Sequence, residues 1–195
     1  MIHKGKKMKR HPMNKEIIKN FDLFGMAPKM LDCIKKYFSD GTRILDVGTG
    51  RGIATRYLAS QIKDAPNSTG KVYSIDLSDD LQQIVAEILE EEQTREYVEF
   101  QIADIEKLPY ENSYFSLIVA MNCLHHFPNP SKAIMEMIRV LKREGTLCVI
   151  DYTKEAKFVP HKMEDLIDLV DFKRMGFNIV EEYSEEFWWF AAIKI

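Results

Sequence analysis

The chain has 195 residues, 46% of them hydrophobic, and a formal net charge of −3; this suits one globular domain with a sizeable core and argues against a second. Its longest apolar run, Phe187 to Ile193, is far shorter than the roughly 18 residues a membrane-crossing helix needs. The first residues lack the apolar core of a signal peptide, and Cys33, Cys123 and Cys148 form no disulfide pattern, so a reduced, cytoplasmic setting is expected.

Residues 1–12 make a basic arm, in which Lys4, Lys6, Lys7, Lys9 and Arg10 come without an acid, ahead of an acidic body. Such an arm suits contact with nucleic acid or an anionic surface, although a solvated, flexible terminus is the commoner outcome. A helical cap is expected over residues 13–40: Ile17, Ile18 and Phe21, then Met30, Leu31, Ile34 and Phe38, recur at helical spacing around a turn at Gly25 and Pro28. Ser39-Asp40-Gly41 closes it, and residues 41–195 carry the main α/β domain.

That domain opens with a strand, Arg43 to Val47, and glycines 48, 50 and 52 lead from it into a helix marked by Ile53, Tyr57, Leu58 and Ile62. Lys71 to Ile75 is a second strand. Ser78 is placed to cap the next helix, with Asp79 and Asp80 in its first turn and Leu81, Ile84, Val85, Ile88 and Leu89 on its apolar face. Tyr97 to Ile102 and Phe115 to Ala120 read as further strands. Pro130 and Ser131 open a helix with Ile134, Met137, Ile138 and Leu141 inward and Gly145 as its stop; Thr146 to Ile150 is the fifth strand. A helix from about Lys162 to Met175 leads to strands at Phe177 to Tyr183 and Phe187 to Ile195. Three residues between these last two cannot make a parallel crossover, so they must pair as a hairpin. The expected architecture is a single Rossmann-like α/β domain: a seven-stranded, mostly parallel sheet with an antiparallel last strand and helices on both faces.

In such a sheet ligands bind beyond the carboxyl ends of the strands. At the first end, Asp46-Val47-Gly48-Thr49-Gly50-Arg51-Gly52 turns sharply and leaves backbone open to a ligand, while the free N–H groups of the following helix favour an anionic group. Glycines in such turns also serve close packing. Ile53 stands where the dinucleotide fingerprint needs its third glycine, which weakens a pyrophosphate reading. At the second end Asp76, before Leu77 and Ser78, suits the two hydroxyls of a ribose, or a helix cap. At the third, Asp104 and the adjoining Ile105 N–H offer the acceptor and donor that adenine requires. At the fourth, carbonyls within Met121 to Phe127 suit an amino group.

These motifs, in this order, resemble the class I S-adenosylmethionine-dependent methyltransferases over roughly Arg43 to Ile150. Leu45 to Gly52 is similar to the family's first motif, Ile75 to Ser78 to its acidic second and Ala103 to Tyr110 to its third. Phe115 to Val119, Leu124 to Phe127 and Arg139 to Gly145 complete the pattern. The wording is closest to the branch of quinone-biosynthesis enzymes, sometimes grouped as methyltransferase type 11, which mostly alkylate small molecules. The resemblance implies S-adenosyl-L-methionine as cofactor and in-line methyl transfer to a small-molecule acceptor. Carried over by position, it sets Asp46, Gly48, Thr49, Gly50, Arg51 and Gly52 against the methionine moiety, Asp76 and Leu77 against the ribose, Asp104 and Ile105 against adenine, and Met121 and Asn122 against the amino-acid end. Ser116 departs from the branch, which has an acid after the phenylalanine. Only about ten residues follow the fifth strand where relatives insert a lid, so the acceptor pocket would rest on residues 1–40 and Thr153 to Lys162.

A sulfonium methyl is reactive already, so a general base is optional. His125 and His126 lie near the right strand end, though their pairing reads first as packing. Cys123, His125 and His126 lack the second half of a zinc pattern, and no metal is expected. Trp188 and Trp189 alternate across the last strand, one for the core and one under a helix. An RNA or protein methyltransferase recruited by the basic arm, and a cofactor-binding module without catalysis, are the alternatives; a nicotinamide oxidoreductase ranks below both.

Overall fold

The computed structural model describes residues 14–21, 25, 27–38, 41–65, 68–153, 169–174, 177–186 and 188–194. The basic arm lies outside them, as does most of the helix expected from Lys162. Two helices, α1 (Lys15–Lys19) and α2 (Ala27–Lys35), precede an alternation of β1 (Arg43–Val47), α3 (Ile53–Asp64), β2 (Lys71–Asp76), α4 (Asp79–Glu91), β3 (Val98–Ile102), β4 (Phe115–Met121), α5 (Pro130–Val140) and β5 (Leu141–Tyr152). The described part of the last helix is α6 (Leu169–Arg174), followed by β6 (Ile179–Ser184) and β7 (Trp188–Lys194).

The strands form one sheet in the order β3-β2-β1-β4-β5-β7-β6. Neighbours from β3 to β5 run parallel, and β7 runs against both β5 and β6. The sheet is thus the one the strand spacing implies, with a single reversed strand. Alternation along each strand divides the core in two. On one face Ile44, Val72, Leu117, Cys148, Ile150 and Trp188 pack under Ile18 of α1, Met30 and Ile34 of α2, Leu58 and Ile62 of α3 and Val85 and Ile88 of α4. On the other, Leu45, Ile75, Ile118, Leu147 and Trp189 pack under Ile134 and Met137 of α5 and Phe172 of α6. Trp188 and Trp189 are both 1% exposed and sit in opposite layers, as their alternation requires.

Local details depart from the expected boundaries. Ser78 occupies the N-cap position of α4 without a side-chain cap bond; its N–H donates instead to Asp76 Oδ1 at 2.9 Å. Gly145 is not the stop of α5. The helix ends at Val140, where the N–H groups of Ser113 and Tyr114 take the carbonyls of Arg139 and Val140 at 3.0 and 2.7 Å, and Leu141 already pairs with Phe115. Gly145 serves the shifted register that follows, since a Cβ there would meet Leu141 Cδ1 at 2.7 Å and Lys142 O at 2.8 Å.

Candidate cofactor site

The sheet order sets the carboxyl ends of β3, β2, β1 and β4 in a row, and the residues singled out from sequence fall along it. After β1 the chain turns through three left-handed glycines, with φ of 81° at Gly48, 46° at Gly50 and 73° at Gly52. The N–H groups of Gly48 and Thr49 both donate to Ile75 O at 2.9 Å, which pins the loop to β2, and Gly52 N closes the turn on Thr49 O at 2.7 Å. The second and third glycines do different work. A Cβ on Gly52 would lie 2.6 and 2.7 Å from the two γ-carbons of Val85, so that glycine lets α4 pack against the loop. A Cβ on Gly50 would meet only Gly48 O, at 3.7 Å. Close packing therefore explains Gly52, and the surface open to a ligand lies at Gly50. The Arg51 guanidinium lies 3.7 Å from the centre of the Phe21 ring.

Asp76, at the end of β2, joins the loop directly: Oδ2 accepts from Gly50 N and Oδ1 from Ser78 N, each at 2.9 Å. A carboxylate oxygen has two acceptor sites, so one on each oxygen is left for a ligand hydroxyl. Leu77 beside it is 75% exposed. Asp104, at the end of β3, is exposed and accepts from Glu106 N at 2.9 Å, which caps the short turn Ile105–Lys107, while the Ile105 side chain packs into the core.

Asp46 lies beneath the loop and is 1% exposed. It shares a sheet face with Ser74, its register partner in β2. Its Oδ2 accepts from the Thr55 hydroxyl of α3 and from Ser74 Oγ at 3.2 Å. Ser74 Oγ is 2.7 Å from Thr49 Oγ1, and Gln82 Nε2 of α4 donates to that oxygen at 3.2 Å and to Gln101 O at 3.1 Å. Burial pushes the Asp46 carboxyl up to about 7, against the opposing pull of the two hydroxyls and with a small addition from Asp76. Sequence reading missed Thr55, Ser74 and Gln82. The signal was available for Gln82, a polar residue on the apolar stripe of α4, one turn before Val85 and two before Leu89.

Across the row, Met121 is 9% exposed at the end of β4. Asn122 follows in a left-handed conformation, φ 52°, held by its N–H to Ile150 O at 2.7 Å. Its Nδ2 lies 3.7 Å from Met30 Sδ of α2. Its Oδ1 is buried and has no hydrogen-bond partner, an uncommon state for a buried acceptor. Farther along, His125 Nδ1 is 2.6 Å from Asp151 Oδ1, with both side chains buried. Asp151 also accepts from Tyr152 N at 2.8 Å, and the His125 ring lies 4.1 Å from that of His126. Asp151, not singled out from sequence, ties the ends of β4 and β5 together through His125. Among the described residues no group of three metal-ligating side chains gathers.

The family model described as Methyltransferase domain matches residues 38–185, most of the chain. The chain belongs to that family. A relative named ubiquinone/menaquinone biosynthesis C-methyltransferase UbiE from Stutzerimonas stutzeri is 29% identical over 151 residues, 77% of this chain and 57% of its own. Its counterpart from Ectopseudomonas mendocina is 30% identical over 125 residues, 64% of this chain and 47% of its own. The chain thus spans about half the length of the curated relatives it matches. A SAM-dependent methyltransferase from Aquifex aeolicus shares the fold, with a TM-score of 0.73, 21% identity and coverage of 93% of this chain and 98% of that one. The [4+2]-cyclase SpnF aligns with a TM-score of 0.63 at 27% identity, over 80% of this chain and 58% of its own. As a class I methyltransferase domain the chain has S-adenosylmethionine as the cofactor of its fold. The residues present are of a kind that fits it: an open glycine at Gly50, acceptor sites on Asp76 and an unpartnered acceptor at Asn122 would suit a ligand rich in donors.

Proposed function

We propose that the whole protein transfers a methyl group from S-adenosylmethionine to a small-molecule acceptor. The observation that carries this reading is the junction of Gly50 with Asp76 at 2.9 Å, across the row from the unpartnered Oδ1 of Asn122. Asp76 would hold the ribose hydroxyls with the acceptor sites its backbone partners leave over. Asn122 and the carbonyl of Met121 would take the ammonium, the free N–H groups at the start of α3 the carboxylate end, and Asp104 with Ile105 N–H the adenine edge. Bound there, the cofactor supplies an electrophilic methyl on a sulfonium. The protein's task is then to orient an acceptor in line with that methyl and to exclude water, and placement of this kind supplies about 7 to 11 kcal/mol in favourable systems.

A small-molecule acceptor is supported by the relatives' names, which refer to quinone biosynthesis. A reducing, cytoplasmic setting belongs to the same proposal, supported by three free thiols at Cys33, Cys123 and Cys148; among the described residues no helix is long and apolar enough to cross a membrane. A second reading, cofactor binding in the service of other chemistry, is favoured by the likeness to a chain named as a cyclase.

Calorimetry with S-adenosylmethionine, S-adenosylhomocysteine and NAD tests the site. Binding of the first two, absence of the third and at least tenfold weaker binding in Asp76→Ala are expected. Undiminished binding in that variant would refute the assignment. Formation of S-adenosylhomocysteine on incubation with reduced quinones separates methyl transfer from the second reading. Deleting residues 1–12 would abolish salt-sensitive binding in an RNA-directed enzyme and should cause no such loss in a small-molecule enzyme.

A further inference from the structure

Asp46 is buried beneath the loop and, among the described residues, no cation lies beside it: its neighbours are the Thr55 and Ser74 hydroxyls and, farther off, the Asp76 carboxylate. Across β4 its register partner is the apolar Val119, and α4 contributes the uncharged Gln82. Among the described residues the remaining titratable neighbour is the Cys123 thiol, which burial holds well above its ordinary range and therefore neutral. A buried carboxylate without a compensating charge is costly. It creates a negative potential in a medium of low polarity, felt directly by whatever lies on the loop above.

The hydrogen bonds run one way. The amide nitrogen of Gln82 can only donate, and an ionised Asp46 can only accept. The order is therefore fixed from Gln82 Nε2 to Thr49 Oγ1, from Thr49 to Ser74 Oγ and from Ser74 to Asp46 Oδ2, at 3.2, 2.7 and 3.2 Å. Thr49 lies between Gly48 and Gly50, so the chain links the carboxylate to the backbone on which the ligand rests.

We propose that Asp46 is the residue by which this site distinguishes the sulfonium cofactor from its neutral thioether product. The inference rests on the reading above that the ligand is S-adenosylmethionine. Loss of the methyl group removes the positive charge at sulfur, and with it the attraction to Asp46, so an ionised Asp46 shifts the balance of affinity toward the fresh cofactor. Because burial sets the ionisation of Asp46 near neutrality, the preference strengthens as pH rises and the carboxylate ionises.

The test is calorimetry of the full chain with each ligand at about pH 6 and about pH 8, in the wild type, Asp46→Asn and Thr55→Val. The ratio of S-adenosylmethionine to S-adenosylhomocysteine affinity should rise roughly three- to tenfold over that interval in the wild type and stay nearly flat in Asp46→Asn. The ligands' own amino groups titrate alike in both proteins and cancel in the comparison. Thr55→Val removes a donor to the ionised form and should move the rise to higher pH, a result that stands even when Asp46→Asn fails to fold. A wild-type ratio independent of pH, or the same rise in Asp46→Asn, overturns the inference while leaving the cofactor site intact. Failure of either ligand to bind the wild type takes both down.

Discussion

Replacing Gly52 by alanine asks whether that glycine is held by packing or by the ligand. The new Cβ would stand 2.6 Å from Val85 Cγ1 and 2.7 Å from Cγ2 at a backbone φ of 73°. A left-handed non-glycine residue costs about 1–2 kcal/mol and overpacking a core contact about 1–3 kcal/mol, so a loss of roughly 2–5 kcal/mol is expected. In a domain of this size each kcal/mol lowers Tm by about 2–4 °C, and thermal or urea unfolding followed by circular dichroism resolves it. Gly50→Ala is the internal comparison: its Cβ meets only Gly48 O at 3.7 Å, so the backbone strain remains and the packing loss does not. Adding Val85→Ala should return part of the Gly52→Ala loss, a coupling that a double-mutant cycle reads as a non-additive term. Equal destabilisation by Gly50→Ala and Gly52→Ala, with no coupling to Val85, would refute the packing argument.

Three further outcomes follow from the structure. Asn129 accepts from Lys132 N at 3.0 Å at the start of α5, so Asn129→Ala should cost about 0.5–2 kcal/mol in chemical denaturation, whereas Ser78→Ala, with no side-chain cap bond to lose, should stay within about 0.5 kcal/mol. Phe172 is fully buried, 5.3 Å from the Trp189 ring; Phe172→Ala should lose about 3–5 kcal/mol and change the tryptophan fluorescence. The Asp46 carboxyl is raised from 3.8 to about 7 on folding, so the native state binds the proton more tightly. Its contribution to stability is therefore greatest below about pH 4 and declines as pH rises to about 7, by at most about 4 kcal/mol. The difference between wild type and Asp46→Asn in urea midpoints across that range isolates this effect, and a difference that does not vary with pH would contradict it.

The strand ends were legible because their signals are local. Glycines at 48, 50 and 52, acids at 46, 76 and 104 and the three-residue gap before the last strand each constrain backbone or topology without reference to distant residues. Gly145 misled for the complementary reason. A glycine after a helical pattern marks a helix end only if nothing else claims the groups there. Here the carbonyls of Arg139 and Val140 go to the chain before β4. Ser78 stands at the N-cap position its sequence context indicates, without the side-chain bond.

The sequence by itself determined the order of strands and helices, the hairpin that reverses β7 and the row of polar residues along one edge of the sheet. Period-two and helical periodicity with short connections leave few other arrangements. Tertiary structure alone decided which partner each of those residues has. Asp46 and Ser74 are 28 positions apart, and only parallel pairing of β1 with β2 places them on one face, where α3 and α4 bring Thr55 and Gln82 to them. Asp151 meets His125 only because β5 lies beside β4. A hydrogen bond depends on distance and direction in space, and sequence spacing fixes neither once the partners belong to different elements.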